Sequence, residues 1–248
     1  MKKFLTVFTI LSLAVYSVGA AKAANLLGNP DLDTIGVGDQ TLATPIGGWH
    51  VNSSRALTGA YTDGASSETF ANVLQAGGNG LFFKAFAGDL GVAPPTPPNG
   101  RVTTNLFQDV AGSPGSYSLT GWAGAGAGYI GLVDPTVQSQ FTLQFLDASS
   151  TVLSTVVNNL NLNGLGVPDG NGFPFNYKQF TVSGVAPAGT ITVRAMATQG
   201  AAYGNPAGGD QAFVVDSFDL ERAVPEPASI ALGLLGLVGF FGVSRRRS

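Results

Sequence analysis

Between residues 24 and 223 the chain is built from short alternating segments separated by Gly, Pro, Asn and Asp, and this pattern constrains its fold most strongly. Phe141, Leu143 and Phe145, for example, alternate with polar residues. A period of two is typical of a strand with one buried face, whereas a helix repeats its apolar residues every three to four positions. Because no long helical periodicity interrupts the pattern, we predict an all-β region.

At least eight strands are predicted in this region. Clear alternation marks three of them, at 116–120, 140–145 and 190–195, and five more are predicted at 81–87, 101–110, 151–157, 177–182 and 212–221. Eight short strands are enough for two packed sheets, so we expect a two-sheet antiparallel β-sandwich of the jelly-roll type. About 200 residues suit a single domain, which we predict to span residues 24–223.

Composition narrows the function of this domain. Residues 24–223 contain six Lys or Arg and fourteen Asp or Glu, a net charge of −8, which disfavours nucleic acid and anionic membranes as partners. The chain has no Cys, which excludes thiol chemistry and zinc thiolate sites. His50 is the single His, so a Ser-His-Asp triad would have to use it. We therefore expect no enzyme, with a two-carboxylate polysaccharide hydrolase as the remaining catalytic alternative.

The C-terminal segment, residues 224–248, has three parts with separate physical roles. Prolines keep the first part, Pro225-Glu226-Pro227, extended and accessible. The apolar run 228–243 would form a helix about 24 Å long, against about 30 Å for the hydrocarbon core, which predicts a short transmembrane helix. A basic end holds the terminus in the cytoplasm, and it consists of Arg245, Arg246 and Arg247.

This order of parts resembles the PEP-CTERM sorting signal of Gram-negative bacteria, which has a Pro-Glu-Pro box, a short glycine-containing apolar segment and an arginine-rich end. The resemblance implies recognition by a membrane-embedded exosortase, which is thought to cut near the box and to release or re-anchor the protein. An ordinary tail anchor is the alternative, but it leaves the Pro-Glu-Pro box unexplained.

The N-terminal end predicts the same topology. Lys2 and Lys3 precede an apolar stretch from Phe4 to Gly19, and Ala21-Lys22-Ala23 supplies small residues for a cleavage site. These are the features of a secretory signal peptide, predicted to span residues 1–23. Basic residues flank both apolar segments on their cytoplasmic sides, so the region between them is expected to be exported through the inner membrane.

Several landmarks in the exported region resemble carbohydrate-binding modules of the galactose-binding-like jelly-roll type. The opening segment Asn25–Asp33, which reads NLLGNPDLD, is similar to the "NLL-NPGFE" start of that family, and Gly48-Trp49 follows at a plausible distance. Further landmarks occur in the expected order at 106–110, 114–119, 187–190 and 215–220. The resemblance implies the sandwich architecture more strongly than it implies a ligand, because one fold hosts many functions.

Asp216 is the acidic residue that most needs an explanation. Strand parity places it on one face with Val214, Phe218 and Leu220, which predicts a buried carboxylate that requires a cation or several hydrogen bonds. In the resembled family a calcium ion commonly lies where the opening segment meets the last strand, and Asp33 and Asp216 match its ligand positions. We therefore predict structural Ca²⁺ at these two residues. A β-bulge that turns Asp216 outward is one alternative, and a pair with Arg194 or Arg222 is another.

Sugar binding is predicted around Trp122. Strand parity places Trp122 on the polar face of its strand among small residues, where an exposed ring could stack on a pyranose. Tyr129, Phe175 and Tyr177 lie in glycine-rich segments that could flank it, and they complete the predicted ligand site. The alternative is that Trp122 covers the core at a bulge.

Together these features predict an exported, non-enzymatic protein that an exosortase sorts to the cell surface or beyond. Such signals occur in bacteria that make exopolysaccharide, biofilm or floc, so association with extracellular polysaccharide is the leading hypothesis. A structural or adhesive surface protein that binds no sugar is the alternative.

Overall fold

The computed structural model describes residues 23–35, 38–40, 47–54, 64–73, 78–85, 101–205 and 211–223. Asn25–Arg222 form one compact unit. The predicted signal peptide, Pro-Glu-Pro box, apolar run and terminal arginines lie outside the described residues. Within the described ranges, no helix is both long and apolar enough to cross a membrane.

The described residues form an antiparallel β-sandwich of eleven strands, which confirms the predicted fold class. One sheet has six strands in the order β1-β3-β4-β11-β6-β9, and the other has five in the order β2-β5-β10-β7-β8. The strands are β1 (Gly38–Gln40), β2 (His50–Ser53), β3 (Gly64–Glu68), β4 (Gly80–Lys84), β5 (Val102–Ala111), β6 (Gly115–Ala125), β7 (Gln138–Leu146), β8 (Val152–Asn159), β9 (Lys178–Ala186), β10 (Thr192–Ala202) and β11 (Phe213–Arg222).

The core lies between the two sheets, as the alternating pattern predicts. In β7 the inward residues Phe141, Leu143 and Phe145 are all buried, and they meet Leu119 and Phe218 from the other sheet within one hydrophobic cluster. Trp49 is buried there with its ring 5.1 Å from the Phe218 ring, and its Nε1 donates to the Asn29 carbonyl. Burial of these large side chains stabilises the sandwich without disulfides.

Strand β11 lies in the interior of the six-stranded sheet. Strand β6 pairs with it along its length, from Phe213 to Arg222. On its other edge β4 pairs with its first three residues, and the opening segment covers the rest. There the Leu26 amide donates to the Leu220 carbonyl, and the Phe218 amide donates to the Pro30 carbonyl. The first and last parts of the compact unit are therefore hydrogen-bonded to each other.

Candidate functional site

The outer face of the six-stranded sheet holds Asp216, and a bulge determines which residues share that face. The register of β11 against β6 shifts between Asp216 and Asp219, where Ser217 has a positive φ of 49°. Val214 therefore faces outward with Asp216, whereas Phe218 and Leu220 point into the main core. The predicted common face of Asp216, Phe218 and Leu220 is wrong, because the extra residue of a bulge reverses the alternation.

Asp216 is nevertheless buried, with 0% of its surface exposed, because other segments cover the outer face above it. Its Oδ2 accepts a hydrogen bond from the Val73 amide at 2.8 Å, and its Oδ1 accepts one from the Ser217 amide at 2.7 Å. Burial raises the pKa of Asp216 to about 7, and the charges of Asp33 and Asp31 add to the rise, whereas the two hydrogen bonds act in the opposite direction.

Neither arginine suggested as a partner of Asp216 takes that role. Arg194 forms a two-pronged ion pair with Asp109, at 2.7 and 2.8 Å. Arg222 donates to the Pro114 carbonyl and lies over the Tyr117 ring. Two backbone hydrogen bonds therefore offset part of the cost of burying the Asp216 carboxylate. The raised pKa indicates that they do not fully replace the lost water.

An aromatic cluster covers Asp216, and we call it the aromatic cover. The Trp122 ring meets the Phe173 ring edge-on at 5.4 Å, and the Tyr177 hydroxyl donates to the Ala71 carbonyl. Desolvation raises the Tyr177 pKa well above its usual value, and the Asp216 charge raises it further. Half-buried or exposed rings surround the buried Tyr177, so the cover consists of Phe70, Phe82, Trp122, Phe173, Phe175 and Tyr177.

The structure brings together three of the four residues predicted to bind sugar. Trp122, Phe175 and Tyr177 all belong to the aromatic cover, and the first two are half-buried. Tyr129 lies instead in the main core with 1% exposure, stacked on Phe213, and burial raises its pKa to about 12. Because Tyr129 and Tyr177 are both buried, neither ring can stack on a ligand in this structure.

The space expected beside Trp122 is filled by protein. A Cβ atom added at Gly124 would meet the Phe175 carbonyl oxygen at 2.9 Å and the Tyr177 ring at 3.2 Å. A Cβ atom at Gly121 would meet the Phe218 ring at 2.6 Å. These glycines therefore allow close packing of aromatic rings on both faces of the sheet. Trp122 also pairs with Asp216 beside the bulge, but its ring packs in the aromatic cover and not on the main core.

The residues predicted to bind calcium supply oxygen ligands without forming a carboxylate cluster. Asp33 and Asp216 interact through their charges, and Asp33 Oδ1 accepts from the Asn79 amide at 2.8 Å. Among the described residues, no group of three or more His, Cys, Asp or Glu side chains could hold a metal ion. A calcium ion here would need backbone carbonyl or amide oxygens as further ligands, which its flexible coordination permits.

The outer face of the five-stranded sheet is a second candidate site, and we call it the amide face. Strand register places three rows of side chains side by side across it. The first row is Asp109, Arg194 and Gln144, the second is His50, Phe107, Met196 and Thr142, and the third is Asn52, Asn105, Thr198 and Gln140.

A stack of planar groups stands at the centre of the amide face. The His50 ring lies parallel to the Phe107 ring at 5.0 Å, with an interplanar angle of 12°. The Arg194 guanidinium packs on Phe107 at 4.4 Å and forms the ion pair with Asp109. Because Asp109 fixes the guanidinium, the stack is held in place before any ligand arrives.

Side-chain amides surround this stack. Asn105 Nδ2 donates to Asn52 Oδ1 at 2.9 Å, and Asn105 Oδ1 accepts from the Thr198 hydroxyl at 2.7 Å. The amides of Gln140 and Gln144 hydrogen-bond to no other described residue, and both side chains are partly exposed. Each offers donors and an acceptor to a ligand, so the face suits a ligand rich in hydroxyl groups.

Sequence reasoning did not find the amide face. In the sequence His50 bears only on a Ser-His-Asp triad, and the polar residues of β7 indicate only a strand. The available signal was the choice of polar residue, because Gln140 and Gln144 are amides where a solvent-exposed face more often carries charge. The pairing of His50 with Phe107 depends on strand order and was not readable from alternation alone.

Comparison with known proteins identifies one segment of the chain directly. Residues 223–248 match the PEP-CTERM protein-sorting motif, which confirms the resemblance seen in the C-terminal segment. None of the curated proteins matches the chain.

Solved structures with similar folds are remote relatives in sequence. The enzymatically active domain of tailspike protein 4 from bacteriophage CBA120 is 12% identical, with 80% of this chain and 21% of that one covered and a TM-score of 0.46. This chain thus spans about a fifth of the tailspike chain. TmCBM61, solved with β-1,4-galactotriose, is 15% identical, with 81% and 100% covered and a TM-score of 0.41. The CBM22-1 xylan-binding domain of Paenibacillus barcinonensis Xyn10C is 10% identical, with 82% and 100% covered and a TM-score of 0.39.

Proposed function

We propose that this protein is an exported, surface-sorted, non-enzymatic protein that binds polysaccharide through the amide face. The observation that carries the proposal is the arrangement of partly exposed amides around the fixed stack of His50, Phe107 and Arg194. Amides recognise sugar hydroxyls by donating and accepting at once, and aromatic groups contact the apolar faces of sugar rings. Five strands spaced about 4.8 Å apart give a face wide enough for several sugar units.

The sorting motif supports a location at the cell surface. A PEP-CTERM motif at residues 223–248 implies export and surface sorting. Cleavage by an exosortase near Pro225-Glu226-Pro227 is part of the proposal, as is transient anchoring by the apolar run before cleavage. A polysaccharide-binding domain delivered in this way would associate with the extracellular matrix of the cell that exports it.

A binding role suits the amide face better than hydrolysis does. Glycoside hydrolysis usually requires two carboxyl groups on opposite sides of the bond to be cut. The three rows of the amide face contain a single carboxylate, Asp109, and Arg194 holds it in an ion pair. Asp216 has the raised pKa that a catalytic acid requires, but it is buried beneath the aromatic cover of the other sheet. The polysaccharide-hydrolase alternative therefore has little support from the geometry.

Calcium binding by Asp33 and Asp216 stays a prediction within this proposal. It is supported by the negative charges of Asp31 and Asp33 near a buried carboxylate, because a cation would relieve their mutual repulsion. Protonation of Asp216 is the other way to remove the buried charge. A bound calcium ion would have a structural role, since it would join the opening segment to β11. Neither calcium binding nor protonation of Asp216 would change the amide face.

A glycan-array screen of the compact unit Asn25–Arg222, with calcium present, tests the proposal. This piece contains every described strand and both hydrophobic clusters, so we expect it to fold by itself. Once a glycan is found, the double variant Gln140→Ala/Gln144→Ala should weaken its binding roughly 30-fold, because about two hydrogen bonds of about 1 kcal/mol each are lost. The melting temperature should stay unchanged, since neither amide bonds to the described protein.

A matched variant on the other sheet separates the two candidate sites. Gln179 is exposed and pairs with Trp122 on the outer face of the six-stranded sheet. Gln179→Ala should leave glycan binding intact. Loss of binding in Gln179→Ala and Trp122→Ala, with binding retained in the Gln140/Gln144 variant, would move the site to the aromatic cover. A folded sample that binds no glycan would favour a structural or adhesive surface protein.

A further inference from the structure

Both sheets end in an open edge strand on the same side of the sandwich. Among the described strands, β8 pairs with β7 alone and β9 pairs with β6 alone. Asn158 Nδ2 donates to the Thr181 carbonyl at 2.8 Å and so joins the two edges. A shallow groove of about 480 Å³ runs between them, and its walls include Val157, Leu162 and Ser183. An open edge presents backbone N–H and C=O groups to which another strand can bond.

Two ranges on this side of the molecule contain no charged residue, and we call them the uncharged edge. They are residues 148–168, which contain β8, and residues 179–193, which contain most of β9. The nearby charge is the Lys178 ammonium at the start of β9, which lies beside Gly164. Neither range includes an Asp, Glu, Lys, Arg or His. Exposed edge strands usually carry charged residues, above all Lys, that prevent further strand pairing. Strand β8 has no such protection, although the exported region as a whole has a net charge of −8.

Large apolar side chains are exposed along the uncharged edge. Leu162, three residues beyond the end of β8, is 80% exposed. Others lie on or beside the two edge strands, and they are Val152, Leu153, Val157, Val185 and Ile191. Burial of such side chains against a partner is favourable by about 25 cal/mol per Å² of apolar surface. The edge therefore combines unpaired backbone groups with apolar surface, as a strand-pairing interface does.

The missing charge indicates which partner fits. A surface that buries this edge must itself be nearly uncharged, because a charged side chain placed there would lose water and gain no partner. The uncharged edge of a second copy meets this requirement, whereas the acidic residues elsewhere on the domain would keep two copies apart. Two β8 strands that run antiparallel can exchange N–H and C=O bonds through a twofold axis, so each copy contributes the same residues.

We propose that a second copy of this chain docks at the uncharged edge, β8 against β8, and joins two five-stranded sheets into one. Thr155 and Val157 pair with Gln144 and Thr142 of the amide face, so the self-association is tested without sugar, which separates its outcome from that of the proposed polysaccharide binding. Sedimentation velocity of Asn25–Arg222 without sugar should show a monomer–dimer equilibrium with a Kd on the order of 10 µM, typical of a small interface. Val157→Lys, at a 46% exposed position on β8, should raise the Kd at least tenfold.

A matched substitution and a chemical cross-link make the test decisive. Val133 is 70% exposed and lies outside the uncharged edge, so Val133→Lys should dimerise like the unmodified protein. Because the chain has no Cys, Thr155→Cys in β8 supplies a single thiol, and a short bis-maleimide should link two copies there but not in Val133→Cys. A protein that stays monomeric at about fifty times that Kd, or a dimer unaffected by Val157→Lys and not cross-linked at Thr155→Cys, would overturn the proposal.

Discussion

Asp216 and Asp109 lie on the outer faces of the two sheets, and their surroundings are opposite in character. Asp216 has no positively charged partner among the described residues, lies under the aromatic cover and has a raised pKa. Asp109 is open to solvent and forms a two-pronged ion pair with Arg194. One sheet therefore has part of its outer face closed by protein, whereas the other leaves a polar face available.

The contrast predicts which sheet face contributes to stability and which to ligand binding. Substitutions beneath or within the aromatic cover should change folding, since they disturb a buried charge and packed rings. Substitutions on the amide face should change ligand binding with little effect on folding, since the groups there are partly solvated. Four measurements of stability test this contrast.

The largest effect is expected from the charge of Asp216. A folded-state pKa near 7, against an ordinary 3.8, means that the folded protein binds the proton more tightly than the unfolded chain does. This contribution to stability is complete below about pH 4 and is lost as the pH rises through 7, a change on the order of 4 kcal/mol. Urea unfolding in EDTA between pH 4 and 8 should show it as a difference between the unmodified protein and Asp216→Asn.

Calcium should change that profile if Asp33 and Asp216 bind it. Added Ca²⁺ would then stabilise the protein above pH 7, and EDTA would lower its melting temperature, with no EDTA effect left in Asp216→Ala. The absence of any EDTA effect in the unmodified protein would remove the metal prediction. A pH profile in EDTA identical to that of Asp216→Asn would contradict the raised pKa itself.

A smaller loss is expected when the aromatic cover is opened. Trp122→Ala removes a half-buried ring that packs on Phe173, and should destabilise the domain by about 2–3 kcal/mol. Water would then reach Asp216, so the pH dependence of stability between 4 and 7 should weaken as well. The neighbouring change Gln179→Ala should cost less than about 0.5 kcal/mol in the same urea titration. Unchanged stability in Trp122→Ala would mean that the ring is free to serve a ligand.

The smallest effect on stability is expected on the amide face. Arg194→Lys keeps the charge but loses the two-pronged contact with Asp109, and the pair is partly exposed to solvent. We expect a loss of less than about 1 kcal/mol, reduced further by salt, and no change in the Asp216-dependent pH profile. A loss as large as that of Trp122→Ala would show that the amide face also supports the fold.

The two-sheet architecture was readable from the sequence, because alternation reports burial on one face of a strand. All eight predicted strands overlap an observed strand, although β10 runs to Ala202, well beyond the predicted 190–195. The short early strands β1, β2 and β3 were missed, since β3 reads Gly-Ala-Ser-Ser-Glu and has no apolar alternation. The Asp216 face was predicted wrongly because a bulge at Ser217 reverses parity without any distinctive residue in the sequence.

The candidate site was less accessible to sequence reasoning than the fold was. Trp122 was placed correctly on the outer side of β6, but the ring cover formed by the segment around Phe173 is a long-range contact that no local pattern encodes. The amide face was missed for a related reason. His50, Phe107 and Arg194 come from three strands whose lateral order is set by the topology of the sheet, and alternation says nothing about that order.

The position of β11 also has a mechanical consequence. Residue 222 ends a strand that is bonded on one edge to β6 and on the other to β4 and the opening segment. A pull along this strand from its C-terminal end would load many of these hydrogen bonds in shear at once, instead of peeling them apart one after another. Resistance to such a pull depends on the barrier to unfolding and not on equilibrium stability. If the domain is tethered to a cell by that end, a pulling force would act on a strand that is hydrogen-bonded along both edges.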